Sequence, residues 1–382
     1  MNFQDTNSLE ERLQLMESLA ARFKERAAEI DEEGGFPFAN IDDLKKNGYT
    51  SLTLPCEYGG KEITLHEIVS LQEKLAAGDG STALAIGWHM GIIKNLGEKK
   101  AWKEEVFRRV SQEVKRGALL NSAASEAQTG SPTRGGKPQT TAKKDGGSWV
   151  INGRKIFTTM SPVLDYFIVS ASIAGSDEVG NFLIPRSTKG LSIEETWDSV
   201  AMRGTGSHDL VLEDVHVAEE DFVEVITPGK KQANGWLLHI PACYLGIAKA
   251  AQEYAIQFAL NYSPNSIKGT ISDIPAVRQK IGEIELELMK DRHFLHAVAK
   301  KWDDAGEQER LEMGPELGAV KMAVTNGAIK AVDLAMRVVG ARSLSQKNPL
   351  QRYYRDVRAG LHNPPMDDMT IELLARHAMN GK

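Results

Sequence analysis

The sequence predicts an α+β protein in three consecutive blocks: an N-terminal helical domain over residues 1–118, a central β domain of barrel or sandwich type over 119–227, and a C-terminal four-helix bundle over 228–382. Three observations predict it. Apolar residues recur at helical spacing through roughly the first hundred positions. From about Leu119 they fall into short β-rich runs separated by turn pairs, and beyond Gly235 the helical spacing returns.

Ser8-x-x-Glu11 is a capping box, in which hydroxyl and carboxylate each accept from the other residue's amide. Leu9, Leu13, Met16, Ala20, Phe23, Ala27 and Ile30 follow on one stripe, which predicts an amphipathic helix. Thr64-x-x-Glu67 repeats the device before Ile68, Leu71 and Leu75, and Gly78 and Gly80 stand where a helix stop is expected. In the β block, Asp145-Gly146 and Asn152-Gly153 flank Trp149-Val150-Ile151, and Asn-Gly is the strongest short hairpin signal. Residues 166–171, 181–184 and 210–217 read as further strands. The last block carries three apolar stripes, on Trp236 to Phe258, Val277 to Trp302 and Leu317 to Val338, which read as core packing. The third is rich in small residues that let helices approach closely. A short helix over 367–379 closes the chain.

Composition narrows function by exclusion. A net charge of -6 with no concentrated basic face argues against a nucleic-acid partner. No run of about 18 apolar residues and no basic, apolar leader occur, so neither membrane spanning nor secretion is expected. Cys56 and Cys243 lie too far apart to suggest a metal site or a disulfide framework, and a reducing cytoplasm fits best. Phosphate-loop, dinucleotide-fingerprint and zinc motifs are missing. His293 and His296 share a helix face without the carboxylates of a di-metal site, and no metal is expected. Asp291 falls on an apolar stripe, where a salt bridge is the expected partner.

Several segments, taken together and in order, carry a resemblance over nearly the whole chain. They are Leu44 to Gly48, Leu54 to Gly60, Ser125-Glu126-Ala127-Gln128-Thr129-Gly130-Ser131, Asp145 through Thr159, Met202 through Val215, Val338 to Ser343 and Tyr354 to Arg358. This set resembles the acyl-CoA dehydrogenase family. The resemblance implies a flavin, FAD or alternatively FMN, with Ala124, Ser125, Glu126 and Ser131 on the loop that meets its pyrimidine and phosphate. It also implies Phe157 packed on the isoalloxazine, Thr158 beside it, and the Thr159 hydroxyl near flavin N5 and O4. Arg337 stands where the family often contacts a neighbouring subunit's cofactor. Ser131 and Arg203 are implied at the substrate. For Arg203, Thr205 and Ser207, pocket support and turn capping are equally open.

The chain departs from the pattern where the chemistry is done. Dehydrogenating an acyl thioester needs a carboxylate to take the α-proton while hydride leaves for flavin N5. The two places where the family carries that Glu hold Pro364 and Trp236. A base would then come from Asp367 or Asp368. The segment that reaches the FAD diphosphate is also changed, to Tyr262-Ser263-Pro264-Asn265-Ser266. Arg203 to Ser207 and Leu361-His362-Asn363-Pro364 look similar to reduced-flavin-dependent monooxygenases of the dibenzothiophene type, which share the fold. In their chemistry a His, here His362, can support a C4a-hydroperoxide. The first expectation is α,β-dehydrogenation of an acyl-CoA; the alternatives are monooxygenation and a catalytically silent flavin-binding protein. The resemblance further implies an electron-acceptor flavoprotein or a flavin reductase as partner, and a homodimer or homotetramer.

Overall fold

The computed structural model describes residues 2–129, 135–227 and 233–380. Five helices open the chain: α1 (Leu9–Glu33), α2 (Phe38–Lys46), α3 (Leu65–Gly78), α4 (Gly80–Lys99) and α5 (Glu104–Lys115). Both predicted capping boxes form, Ser8 with Glu11 and Thr64 with Glu67. The expected glycine stop after α3 is replaced by another device. Asp79 ends α3 through its amide and starts α4 by accepting from the Thr82 amide at 2.9 Å. Gly78 is needed for close approach instead, because a Cβ there would lie 2.3 Å from the Ala20 carbonyl on α1.

The β domain is a single sheet ordered β6-β7-β3-β2-β4-β5-β8, with β1 paired in parallel to β4. Its strands are β1 (Leu120–Ala123), β2 (Thr141–Asp145), β3 (Ser148–Thr158), β4 (Tyr166–Ile173), β5 (Val179–Pro185), β6 (Leu191–Glu194), β7 (His208–Ala218) and β8 (Phe222–Ile226). Asp145-Gly146 makes the β2–β3 turn, but Asn152-Gly153 does not reverse the chain. It forms an irregularity within β3 opposite β7, where Asn152 and Asp214 exchange hydrogen bonds of 3.0 and 2.8 Å. Gly153 is required because a Cβ would meet Thr140 Oγ1 at 2.4 Å.

The C-terminal helices are α6 (His239–Asn261), α7 (Pro275–Asp304), α8 (Glu307–Glu312), α9 (Gly314–Val339), α10 (Pro349–Asp356) and α11 (Asp367–Asn380). One apolar core runs through all three blocks, and a second joins α4 and α5 to β1, β4, β5 and β8. The blocks are therefore fused, and the junctions between them are where a site can be held rigidly. Among the described residues, no helix is long and apolar enough to cross a membrane.

Candidate active site

Three of the singled-out segments are joined by hydrogen bonds at the ends of β1, β3 and β7. The first junction joins the loop after β1 to β3: the Ile156 amide donates to the Ser125 carbonyl at 2.9 Å. Beside it is a fully interior ion pair, Lys155 Nζ to Glu126 Oε1 at 2.6 Å, with side chains 0% and 3% exposed. Glu126 also accepts from the Thr140 amide and hydroxyl, the Gln139 amide and the Thr129 hydroxyl. Burial alone would raise its pKa, but the Lys155 ammonium and these donors outweigh that and hold it near 2. Glu126 thus serves the loop by anchoring it from inside.

Phe157, next along β3, is 62% exposed and has φ +57, a left-handed conformation that costs about 1–2 kcal/mol for a non-glycine residue. Its ring meets Trp197 edge-on at 6.1 Å. The following Thr158 is buried with a hydroxyl that has no partner among the described residues. Thr159 Oγ1 lies 2.9 Å from Ser207 Oγ, which lies 2.9 Å from Thr205 Oγ1. An open aromatic face, small residues offering backbone groups, and hydroxyls at one edge fit a planar heteroaromatic ring with donor and acceptor edges.

The 202–207 turn is held from two sides. Arg203 donates to the carbonyls of Asp31 at 2.6 Å and of Ser199 and Glu32 at 3.4 and 3.5 Å, so its guanidinium caps the end of α1. Of the two open readings, capping is the one its contacts display. From the C-terminal side, Asp356 accepts the Met202 amide at 2.6 Å. Asp356 is 3% exposed, and burial pushes its pKa up to about 7.

Trp236, at one of the two expected base positions, packs beside α4. Its ring stacks on His239 at 6.1 Å and meets Trp88 edge-on at 5.8 Å, with Gly91 leaving the space it fills. His239 is wholly buried, neither ring nitrogen has a partner among the described residues, and burial lowers its pKa to about 3, so the ring is neutral. Pro364 holds the other position. His362 beside it is exposed, and its loop is fixed by the Tyr244 hydroxyl donating to Asn363 Oδ1.

Other predicted residues lie elsewhere. Asp367 accepts from Asn326 at 2.8 Å and sits 3.6 Å from the buried Lys321, both on α9. Asp368 is exposed and accepts from the Met369 amide. Arg337 is exposed in the last turn of α9. Ala124 is half-buried between β1 and Ser125, and Ser131 lies outside the described residues. Asp291 has no salt bridge among the described residues: Lys290 and Lys330 both pair with Glu287, and one Asp291 oxygen is orphaned. Burial raises its pKa to about 7. His296 bonds His66 and Glu73 at 3.1 Å.

Sequence reasoning passed over Lys155, Asp356 and His89. His89 joins α4 to the site strand, accepting the Leu120 amide at Nδ1 (3.2 Å) and therefore donating from Nε2 to the Thr50 carbonyl (2.9 Å). A lysine within an alternating strand was the one available signal for an interior charge.

The helical–β–helical order, with loop 124–129, strand end 157–159 and turn 202–207 hydrogen-bonded to one another, defines the structural class. Models for the acyl-CoA dehydrogenase N-terminal, middle and C-terminal domains match residues 10–111, 121–215 and 238–363. The chain is 55% identical over 364 residues to "Putative acyl-CoA dehydrogenase YdbM" of Bacillus subtilis, covering 95% of each. It is 27% identical to the dibenzothiophene monooxygenase of Rhodococcus erythropolis, over 95% of this chain and 92% of that one. The structure of KijD3 in complex with FMN and a dTDP-linked amino keto sugar superposes with a TM-score of 0.87 at 26% identity, covering 99% and 95%. The chain belongs to the acyl-CoA dehydrogenase family.

Proposed function

We propose that this chain is a flavin-dependent oxidoreductase of the oxygen-activating kind, a monooxygenase working on reduced FMN. The observation that carries this reading is that neither position expected of a base holds a carboxylate and that, among the described residues, the nearby carboxylates are each engaged in other bonds. Trp236 and Pro364 occupy the two positions expected of a base, Glu126 is bound to Lys155, Asp356 to the Met202 amide, and Asp367 to α9. The similarity to an FMN-bound structure supports the choice of flavin, as does Tyr262, which lies under the Arg342 guanidinium at 4.4 Å where the family's diphosphate segment would reach FAD.

Reduced flavin, when bound, supplies two electrons to dioxygen, so that one oxygen atom enters the substrate and the other leaves as water. The chain's residues do the rest. Ser125 and its neighbours would hold the pyrimidine edge, Phe157 would bear on the ring face, and Thr159 would meet the redox-active edge. Trp88, Trp236 and neutral His239 make an apolar wall that excludes bulk water. His362, on its pinned loop, would serve as the proton donor of the reaction.

A second reading, dehydrogenation of an acyl-CoA, is favoured by the 55% identity to YdbM. The two separate in one experiment. Protein loaded with oxidised flavin is mixed anaerobically with a panel of acyl-CoA thioesters, and protein loaded with reduced FMN is given isotopically heavy dioxygen and aromatic heterocycles. Heavy oxygen in the organic product supports the proposal. Loss of the oxidised flavin's visible absorbance with any acyl-CoA would sink it in favour of the second reading.

A further inference from the structure

We infer that Thr159, Ser207 and Thr205 form a hydroxyl relay whose resting direction presents an acceptor to the flavin, so that the site holds reduced flavin more tightly than oxidised flavin. This rests on the flavin reading above. Thr159 Oγ1, Ser207 Oγ and Thr205 Oγ1 follow one another at 2.9 and 2.9 Å, and Thr205 Oγ1 reaches the Met202 carbonyl at 3.0 Å. Ser207 and Thr205 are 5% and 1% exposed, which leaves no room for bulk water within the chain of bonds.

Each hydroxyl has one hydrogen and two lone pairs, whereas a carbonyl only accepts. Two limiting proton orders bracket the possibilities. In the inward order Thr205 donates to Met202, Ser207 to Thr205 and Thr159 to Ser207. All three hydrogens are bonded and Thr159 turns a lone pair outward. In the outward order every donor reverses and the Thr159 hydrogen points out of the site. The Met202 carbonyl tolerates this, because it still accepts from the Thr205 amide at 3.1 Å and from Trp197 Nε1 at 3.2 Å. The inward order makes one more internal hydrogen bond, so the protein rests there.

The backbone of Thr159 is fixed on both sides: its amide donates to the Phe157 carbonyl and its carbonyl accepts from Asn121 Nδ2, each at 2.9 Å. Only the hydroxyl is left to turn. Flavin N5 is a bare acceptor when oxidised and an N–H donor when reduced. Reduced flavin meets the relay as it stands, and oxidised flavin must turn the Thr159 hydrogen outward, which costs the relay one internal hydrogen bond. One net hydrogen bond corresponds to about a two- to tenfold preference. Ser207 and Thr205 are positioning residues acting through Thr159.

The test is anaerobic titration of the full chain with oxidised and with chemically reduced FMN, reading the ratio of the two dissociation constants. Wild type should favour reduced FMN. Thr205→Val removes the inner end of the relay, turns Ser207 toward Thr159, and should lower the ratio about two- to tenfold. Thr205→Ser should restore it, and Ser207→Ala should lower it as Thr205→Val does. A tenfold change in the ratio is about 30 mV in the two-electron potential of the bound flavin. Equal weakening of both redox states in Thr205→Val and Ser207→Ala, or an unchanged ratio in both at near-native melting temperature, overturns the relay. Failure of wild type to bind FMN or FAD in either state overturns the flavin reading and the relay with it.

Discussion

Replacing Lys155 with Met would leave the Glu126 carboxylate interior and without its cation. The pair lies at 2.6 Å with side chains 0% and 3% exposed, and breaking such a pair typically costs about 3–5 kcal/mol. Four hydrogen bonds to Glu126 remain, which favours the lower end. At about 2.1 cal/mol/K of unfolding entropy per residue, a loss of about 3 kcal/mol lowers the melting temperature by about 4 °C. The sign follows from linkage. With its folded pKa near 2 against an ordinary 4.5, Glu126 in wild type contributes stability that is complete above about 4.5 and lost as pH falls toward 2. Without Lys155 the folded pKa rises, so the deficit should be larger at pH 7 than at pH 4.5. Because the Ser125 carbonyl and Ile156 amide adjoin this pair, FMN affinity should fall about tenfold if about 1.4 kcal/mol of the loss reaches the loop. Adding Glu126→Gln should recover part of the melting temperature, since a neutral pair carries no buried charge. The measurements are thermal unfolding at the two pH values and flavin titration. A Lys155→Met protein with wild-type melting temperature, or no gain in the double variant, would refute the reasoning.

Three further outcomes are expected. Phe157→Ala should weaken FMN binding about tenfold while changing stability by less than about 0.5 kcal/mol, because the ring is 62% exposed; flavin titration beside thermal unfolding checks both. Asp291 has its folded pKa raised by burial to about 7 from 3.8, so its stability contribution is complete below about 3.8 and lost as pH rises through 7. Asp291→Asn should therefore stabilise the protein by about 2–3 kcal/mol more at pH 8 than at pH 5, and equal melting shifts at the two pH values would contradict it. His362→Ala should leave FMN binding within about twofold while diverting reduced-flavin oxidation from substrate to hydrogen peroxide, read by peroxide assay against product; unchanged coupling would remove the proton-transfer role.

What the sequence by itself determined was everything local. Ser8 with Glu11 and Thr64 with Glu67 form their boxes because the partners are three residues apart, and the apolar stripes of α6, α7 and α9 face the core because helical periodicity leaves no other choice. The helical–β–helical order of the three blocks was legible for the same reason. Local signals misled where packing intervened. Asn152-Gly153 stayed within β3 because Asp214 across the sheet completes its bonding, and Gly78 serves a crossing with α1 instead of a turn.

Only the tertiary structure decided which polar groups meet. Glu126 and Lys155 are 29 positions apart, Thr159 and Ser207 48, and Met202 and Asp356 154. Nothing in a sequence pattern assigns such partners, because an interior charge or hydroxyl is satisfied by whichever donor the packed backbone brings within about 3 Å. Asp291 is the converse case: its stripe position announced burial, and the packing around Gly327 gave it no cation. The family and the order of its segments could be read from the chain, while the anchoring of the 124–129 loop, the meeting of the Thr159, Ser207 and Thr205 hydroxyls and the partners of the carboxylates were set by the fold.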